Sequence, residues 1–80
     1  MDVQVDLHRA RLARGLSLEE ILGRTALSLG VLKKIDEGRY SELPPGLYAR
    51  SYVKMFAVEV GVEPELALAN LEPVLPAAPD

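Results

Sequence analysis

Residues 15–38 of this 80-residue chain read GLSLEEILGRTALSLGVLKKIDEG, and they decide its fold. The segment opens with a capping box, in which the Ser17 hydroxyl accepts a backbone amide hydrogen bond and the Glu20 side chain reaches back to the backbone of Ser17. A second cap candidate, Ser28, follows the first helical pattern after a gap of only two residues. We therefore predict two short helices joined by a tight turn in the middle of the chain.

The remaining apolar residues also recur at helical intervals, and no run alternates as a half-buried strand would. Gly15, Gly38 and Gly61 follow such runs and predict helix ends, while Pro64 is typical of a first helical turn. The predicted helices cover about residues 7–13, 17–25, 28–38, 47–60 and 64–70. The fold class expected from this pattern is all-α: a compact bundle of five short helices containing a helix-turn-helix, as in repressors.

The domain organisation follows from length and proline content. Eighty residues form one domain near the lower limit for independent folding. We assign residues 1–71 to the helix-turn-helix domain. Residues 72–80 contain three prolines among apolar residues and are predicted to form a stiff, unpacked tail or the start of a linker.

Composition narrows the possible functions. The chain has no cysteine and a single histidine, so thiolate metal sites and most acid–base schemes are excluded. No nucleophile–base pair and no phosphate-binding glycine motif is evident, so we expect no catalytic residue, metal or cofactor. The net charge is −3, and no run of roughly 20 apolar residues could cross a bilayer. We expect a soluble intracellular protein that is not an enzyme.

The order and spacing of these features resemble the Cro/repressor-like helix-turn-helix superfamily over about residues 5–70. The matching positions are Arg11, residues 15–20, Thr25, Leu32 and residues 35–38. Two positions differ from the usual pattern: Leu22 replaces an alanine, and Ala26 replaces the glycine of the turn. The resemblance implies a repressor-like fold, and a fold does not dictate its function.

One alternative is a DNA-binding transcriptional regulator. The residues that would contact DNA are Ser28, Leu29, Lys33 and Lys34. A recognition helix needs donors or acceptors near its N-terminus, and there only Ser28 can hydrogen-bond a base edge. Asp36 and Glu37 offset the two lysines. The other alternative, a repressor-like scaffold reused for protein contact, is better supported by these residues.

The fourth predicted helix carries more apolar surface than a core-facing stripe requires. Its apolar side chains span an arc of about 200°, whereas such a stripe needs somewhat more than about 100°. One flank holds Ala49, Val53, Ala57 and Val60; the other holds Tyr48, Tyr52 and Met55, with Phe56 between the flanks. Either the whole arc is core, or Tyr52, Met55 and part of Phe56 form an exposed patch of the kind that protein interfaces enrich.

The same helix and the loop before it carry a more specific pattern. Its positions are Leu43, Pro44, Tyr48, Arg50, Tyr52, Lys54, Phe56 and Ala57, following residues 35–38. This pattern resembles the cytoplasmic helix-turn-helix domain of RodZ-type bacterial cell-shape proteins. The resemblance implies a non-enzymatic adaptor that binds the actin-like protein MreB through the fourth helix.

By this resemblance, Tyr52 and Phe56 would be the aromatic anchors, and Arg50 and Lys54 would face an acidic partner surface. The complete set of candidate partner-binding residues is Tyr48, Arg50, Tyr52, Lys54, Met55 and Phe56. The family also implies a location at the inner face of the cell membrane, reached through a basic segment and a spanning helix that this sequence does not contain. The tail could begin a linker to such a helix, or the chain could be a soluble relative with another partner.

Overall fold

The fold is given by a computed structural model that describes residues 5–76. Its α-helices are α1 (Leu7–Ala13), α2 (Leu18–Arg24), α3 (Leu29–Asp36), α4 (Leu47–Glu59) and α5 (Pro64–Leu71). Two 3₁₀ turns, Tyr40–Glu42 and Glu72–Val74, follow α3 and α5. No strand occurs within residues 5–76. The predicted all-α bundle of five short helices is therefore confirmed, and no helix end differs from its predicted position by more than two residues.

Side-chain caps explain where four of the helices begin. Ser17 and Glu20 form the predicted capping box, with the Glu20 amide 3.1 Å from the Ser17 hydroxyl and the Ser17 amide 3.2 Å from the Glu20 carboxylate. Ser28 caps α3 by accepting from the amide of Val31. Asp6 and Glu63 cap α1 and α5 in the same way. Each cap satisfies an amide that would otherwise lack a partner.

Gly61 ends α4 in a conformation that other residues avoid. Its φ is +79°, in the left-handed region, where an L side chain is strained. A Cβ at this position would also lie 2.8 Å from the guanidinium carbon of Arg14. The backbone turn is what favours glycine at this position, because the flexible end of the Arg14 side chain could move aside for a Cβ.

The core draws a fully buried side chain from each of the five helices. The largest of these are Phe56, Leu7, Ile21, Leu32, Ile35, Leu71 and Val53. In α4 the predicted core flank of Ala49, Val53, Ala57 and Val60 is buried throughout. The most extensive helix pairing is that of α4 with α5. The helix that carries the candidate site is therefore fixed on one side by the core and by α5.

A charged network joins α1 to the end of α3. Arg11 donates from Nε and Nη2 to the two carboxylate oxygens of Asp36, at 2.8 and 3.1 Å, and from Nη1 to the carbonyl of Leu16 at 2.7 Å. His8 lies 3.0 Å from the same carboxylate. Burial opposes ionisation of Asp36, but the hydrogen bonds from Arg11 and His8 outweigh it and lower the Asp36 pKa. The hydrogen bond between Arg11 and Asp36 also raises the pKa of Arg11.

The segment after α5 differs from the prediction. Leu75 is only 8% exposed and belongs to the core, and the carbonyl of Pro76 accepts a hydrogen bond from Arg50 Nη1 at 3.2 Å. The expected lack of packing is therefore wrong for residues 72–76, because a single leucine with a 3₁₀ turn before it suffices to dock the segment. The boundary after residue 71 stays a prediction, and the rest of the predicted tail, residues 77–80, lies outside the described residues.

None of the helices between residues 5 and 76 has the length and the apolar character needed to span a bilayer.

Candidate functional site

The outward side of α4 is an apolar surface. Two of its members are adjacent and the others follow at intervals of three or four residues, so that all five project within an arc of about 140°. Leu47 is 81% exposed, Tyr48 65% and Val58 57%, whereas Tyr52 and Met55 are half-buried. We call these five residues the α4 apolar face. Sequence reasoning had named Tyr48, Tyr52 and Met55 but missed Leu47 and Val58, which occupy the same side of the helical projection.

Two tyrosines form the aromatic part of this face. The rings of Tyr48 and Tyr52 lie with their centroids 6.2 Å apart and their planes tilted by 34°. This separation is within the range in which aromatic pairs attract each other. The pair holds the more exposed Tyr48 ring against its neighbour, so that Tyr48 can offer a large apolar surface to a partner at a reduced cost in side-chain entropy.

Phe56 does not belong to the surface. Its side chain is fully buried, so the expectation that part of it is exposed is wrong. The projection of α4 places Phe56 about 40° from both Tyr52 and Val60, between the half-exposed and the buried flanks. Its ring turns toward the core, where it is among the largest fully buried side chains. Phe56 therefore supports α4 from beneath and is unavailable for direct contact with a partner.

Arg50 is held inside the domain. It forms an ion pair with Glu72 and donates to the carbonyls of Gly46 and Pro76, both at 3.2 Å. Its side chain is only 19% exposed. These contacts link the first turn of α4 to the segment after α5. Arg50 was expected to face an acidic partner, but its acidic neighbour belongs to the same chain.

Lys54 has a partner within the chain as well. Its Nζ lies 3.1 Å from a carboxylate oxygen of Glu65, which is in the first turn of α5. Both side chains are substantially exposed, so this pair is weak and screened by salt. Both candidate basic residues therefore meet carboxylates of the same chain.

A groove adjoins the C-terminal half of the α4 apolar face. It has a volume of about 280 Å³ and separates α4 from the turn between α2 and α3. Its lining residues are Arg24, Thr25, Ala26, Met55, Val58 and Glu59. Met55 and Val58 thus belong both to the groove and to the α4 apolar face. This groove could not be predicted from local sequence patterns, because it is formed by elements about 30 residues apart in the chain.

The candidate DNA-contacting residues lie together along α3. The Ser28 hydroxyl already accepts the Val31 amide at 3.2 Å, in its role as helix cap. Leu29 exposes 39% of its surface, and Gly30 beside it has no side chain. Lys33 is exposed and Lys34 half-buried, one turn further along. The N-terminal turn of α3 therefore offers little that could distinguish one base from another.

A second cavity lies between the start of the chain and the end of α3. It measures about 330 Å³ and is lined by Val5, Asp6, His8, Asp36, Glu37, Gly38 and Tyr40. The Tyr40 side chain is largely buried, and this burial, reinforced by the charges of Asp6 and Asp36, raises the pKa of Tyr40 to about 12. Among residues 5–76 no group of three or more histidine or acidic side chains could hold a metal ion.

Comparison with known proteins agrees with this architecture. A family model described as a helix-turn-helix domain matches residues 6–66. The chain is also 32% identical, over 62 residues, to the Cytoskeleton protein RodZ of Streptococcus pneumoniae (strain ATCC BAA-255 / R6). The aligned region is 78% of this chain and 22% of that protein, so the chain spans about a fifth of the relative's length. No solved structure matches the chain.

The family match covers α1 to α4 and the first turn of α5, and the likeness to RodZ agrees with the resemblance found in the sequence. The chain therefore belongs to the helix-turn-helix domain family, and its domain is of the RodZ type.

Proposed function

We propose that this domain is a non-enzymatic adaptor that binds the actin-like cytoskeletal protein MreB through the α4 apolar face. The likeness to a protein named for the cytoskeleton supports a partner of this class. Because the chain spans about a fifth of that relative, the partner is a proposal for this domain and not an inherited property. By the same resemblance, the adaptor works at the inner face of the membrane, attached through a segment outside this sequence.

The observation that carries the proposal is the exposure of Tyr48. Tyr48 is 65% exposed on a helix whose opposite side is packed in the core. Burial of such a ring against a partner removes a large apolar area from water, at about 25 cal/mol per Å². Tyrosine is also among the residues that most often dominate binding energy at protein interfaces. The contact residues that remain from the original set are Tyr48, Tyr52 and Met55, supported by Phe56 from beneath.

The regulator alternative has less support. The chain carries a net charge of −3, and DNA binding depends strongly on the neutralisation of phosphates by basic residues. The first turn of α3 presents Leu29 and Gly30 where base-reading side chains would be needed. Sequence-specific DNA binding through Ser28, Leu29, Lys33 and Lys34 stays an alternative that a polarisation assay with labelled duplexes can test.

The test of the proposal is the affinity of the purified chain for purified MreB. Tyr48→Ala should weaken binding by about 2 kcal/mol, or roughly thirty-fold in Kd, if the ring is a dominant contact. The matched control is Leu66→Ala, which truncates a comparably exposed apolar side chain on α5. If Tyr48→Ala binds MreB as tightly as the unmodified chain does, the assignment of this surface is wrong.

A further inference from the structure

The polar side chains that line the groove beside α4 already have partners within the chain, so they do not require a polar ligand. The Thr25 hydroxyl donates to the carbonyl of Ile21 at 2.9 Å and accepts from the amide of Leu27 at 3.3 Å. Arg24 and Glu59, at the groove edge, lie 3.8 Å apart as an ion pair. The polar groups of the lining therefore find partners within the chain, and Ala26, Met55 and Val58 present apolar surface.

The size of the groove also restricts what can occupy it. At about 280 Å³ it lies just below the range of about 300–1,000 Å³ that is typical for small-molecule sites. Single aromatic or aliphatic side chains that insert into pockets are, in contrast, the usual anchors of protein interfaces. The groove thus suits a side chain projecting from a protein better than a free ligand.

The groove is continuous with the α4 apolar face. Met55 and Val58 line the groove and belong to the face, so a protein seated on Tyr48 and Tyr52 would extend over the groove mouth. The five residues of the face carry no formal charge, and the charged residues of α4 beside them are paired within the chain, Glu59 with Arg24 and Lys54 with Glu65. A partner that matches this combined surface must itself be apolar and nearly uncharged where it makes contact.

We infer that the turn between α2 and α3 is part of the adaptor interface, and that the groove between this turn and α4 receives an apolar side chain of the same actin-like partner. This inference rests on the proposed function. It assigns Ala26 a role in partner recognition, as a small residue that leaves the groove open. It also makes the contact predominantly apolar, in place of the basic-to-acidic contact expected from Arg50 and Lys54.

The experiment uses the complete chain and purified MreB. Ala26→Tyr fills the groove from an exposed position in the turn, and Val58→Gln introduces a polar group at the opposite wall. Each should raise the Kd for MreB at least ten-fold. The matched control is Ala69→Tyr, which adds the same ring at an exposed position on α5 and should leave the Kd unchanged. Circular dichroism on each variant confirms that the helices remain folded.

Three outcomes separate this inference from the function on which it rests. If Tyr48→Ala weakens binding but both groove variants bind normally, the groove inference is overturned and the adaptor function stands. If the unmodified chain does not bind MreB, the proposed function itself fails. If the groove variants abolish self-association of the chain and leave MreB binding intact, the occupant is a second copy and the inference is also overturned.

Salt dependence provides an independent readout. If the contact is apolar, the Kd of the chain for MreB should change less than about three-fold between low and physiological ionic strength, because few exposed charges are screened. A ten-fold or greater loss of affinity over the same range would show that charged contacts dominate, which contradicts the inferred chemistry of the surface.

Discussion

Arg11 and Asp36 tie the first helix to the end of the third by a two-pronged contact, with nitrogen–oxygen distances of 2.8 and 3.1 Å. Both side chains are nearly buried, at 13% and 10% exposure. A pair with this geometry is stronger than a surface ion pair, and removal of one member leaves the other charge partly buried and unmatched.

The first prediction concerns this pair. Asp36→Asn should lower the free energy of unfolding at neutral pH by about 2 kcal/mol, because Arg11 loses an ionised acceptor. Urea denaturation checks this. The control is Glu37→Gln, which removes the adjacent exposed carboxylate and should cost much less.

The pair of Arg11 and Asp36 also makes the stability of the domain depend on pH in the acidic range. Because the folded state lowers the Asp36 pKa below its ordinary value of 3.8, the stabilisation is fully present above about pH 4. It is lost as the pH falls through the lower folded-state pKa. The difference in stability between the unmodified chain and Asp36→Asn should therefore shrink in acid, and a constant difference down to pH 2 would contradict this account.

The second prediction concerns alkaline pH. The pKa of Tyr40 is raised to about 12 in the folded domain, from 10.0 for an ordinary tyrosine. Its contribution to stability is therefore complete below about pH 10 and is lost as the pH rises toward 12. Between these two pH values, the free energy of unfolding of Tyr40→Phe should fall by up to roughly 2 kcal/mol less than that of the unmodified chain. Tyr48→Phe, at an exposed tyrosine, is the control, and equal alkaline losses in all three proteins would refute the prediction.

The third prediction separates Phe56 from Tyr48, two aromatic residues of the set of candidate partner-binding residues. Phe56→Ala should cost about 3–5 kcal/mol of stability, enough to unfold much of so small a domain. Tyr48→Ala should cost less than about 1 kcal/mol, because its ring is mostly in solvent. Thermal melting monitored by circular dichroism distinguishes the two, and similar melting temperatures would show that the burial of Phe56 is misassigned.

The fourth prediction tests the docked C-terminal segment. Leu75→Ala should lower the free energy of unfolding by about 2 kcal/mol, since its side chain fills part of the core. Val74→Ala, at a neighbouring and more exposed apolar residue, should cost clearly less. Equal, small effects of both substitutions in urea would mean that residues 72–76 do not pack in solution.

Local signals made most of the fold predictable. The capping box at Ser17 and the cap at Ser28 placed the starts of α2 and α3, because these hydrogen bonds involve residues only three apart. The helical spacing of Ala49, Val53, Ala57 and Val60 likewise identified the buried side of α4.

Long-range pairing could not be predicted in the same way. Arg50 pairs with Glu72, which is 22 residues away in the sequence, and no residue near Arg50 in the sequence predicts this ion pair. Leu75 lies between Pro73 and Pro76, a composition typical of linkers, although the apolar pair that it forms with Val74 was a sign of packing. Phe56 lies between the half-exposed and the buried flanks of α4, so helical spacing alone did not show whether its side chain points to solvent or to the core.

The contacts that Arg50 makes with the segment after α5 have a mechanical consequence. Because this one side chain contacts the carbonyls of Gly46 and Pro76 together with Glu72, tension applied to the chain at residue 76 would pass directly into the amino end of α4. Part of the load would therefore reach the helix that bears Tyr48 without passing through α5. A tether pulling from that point would thus strain the helix that we propose as the docking element.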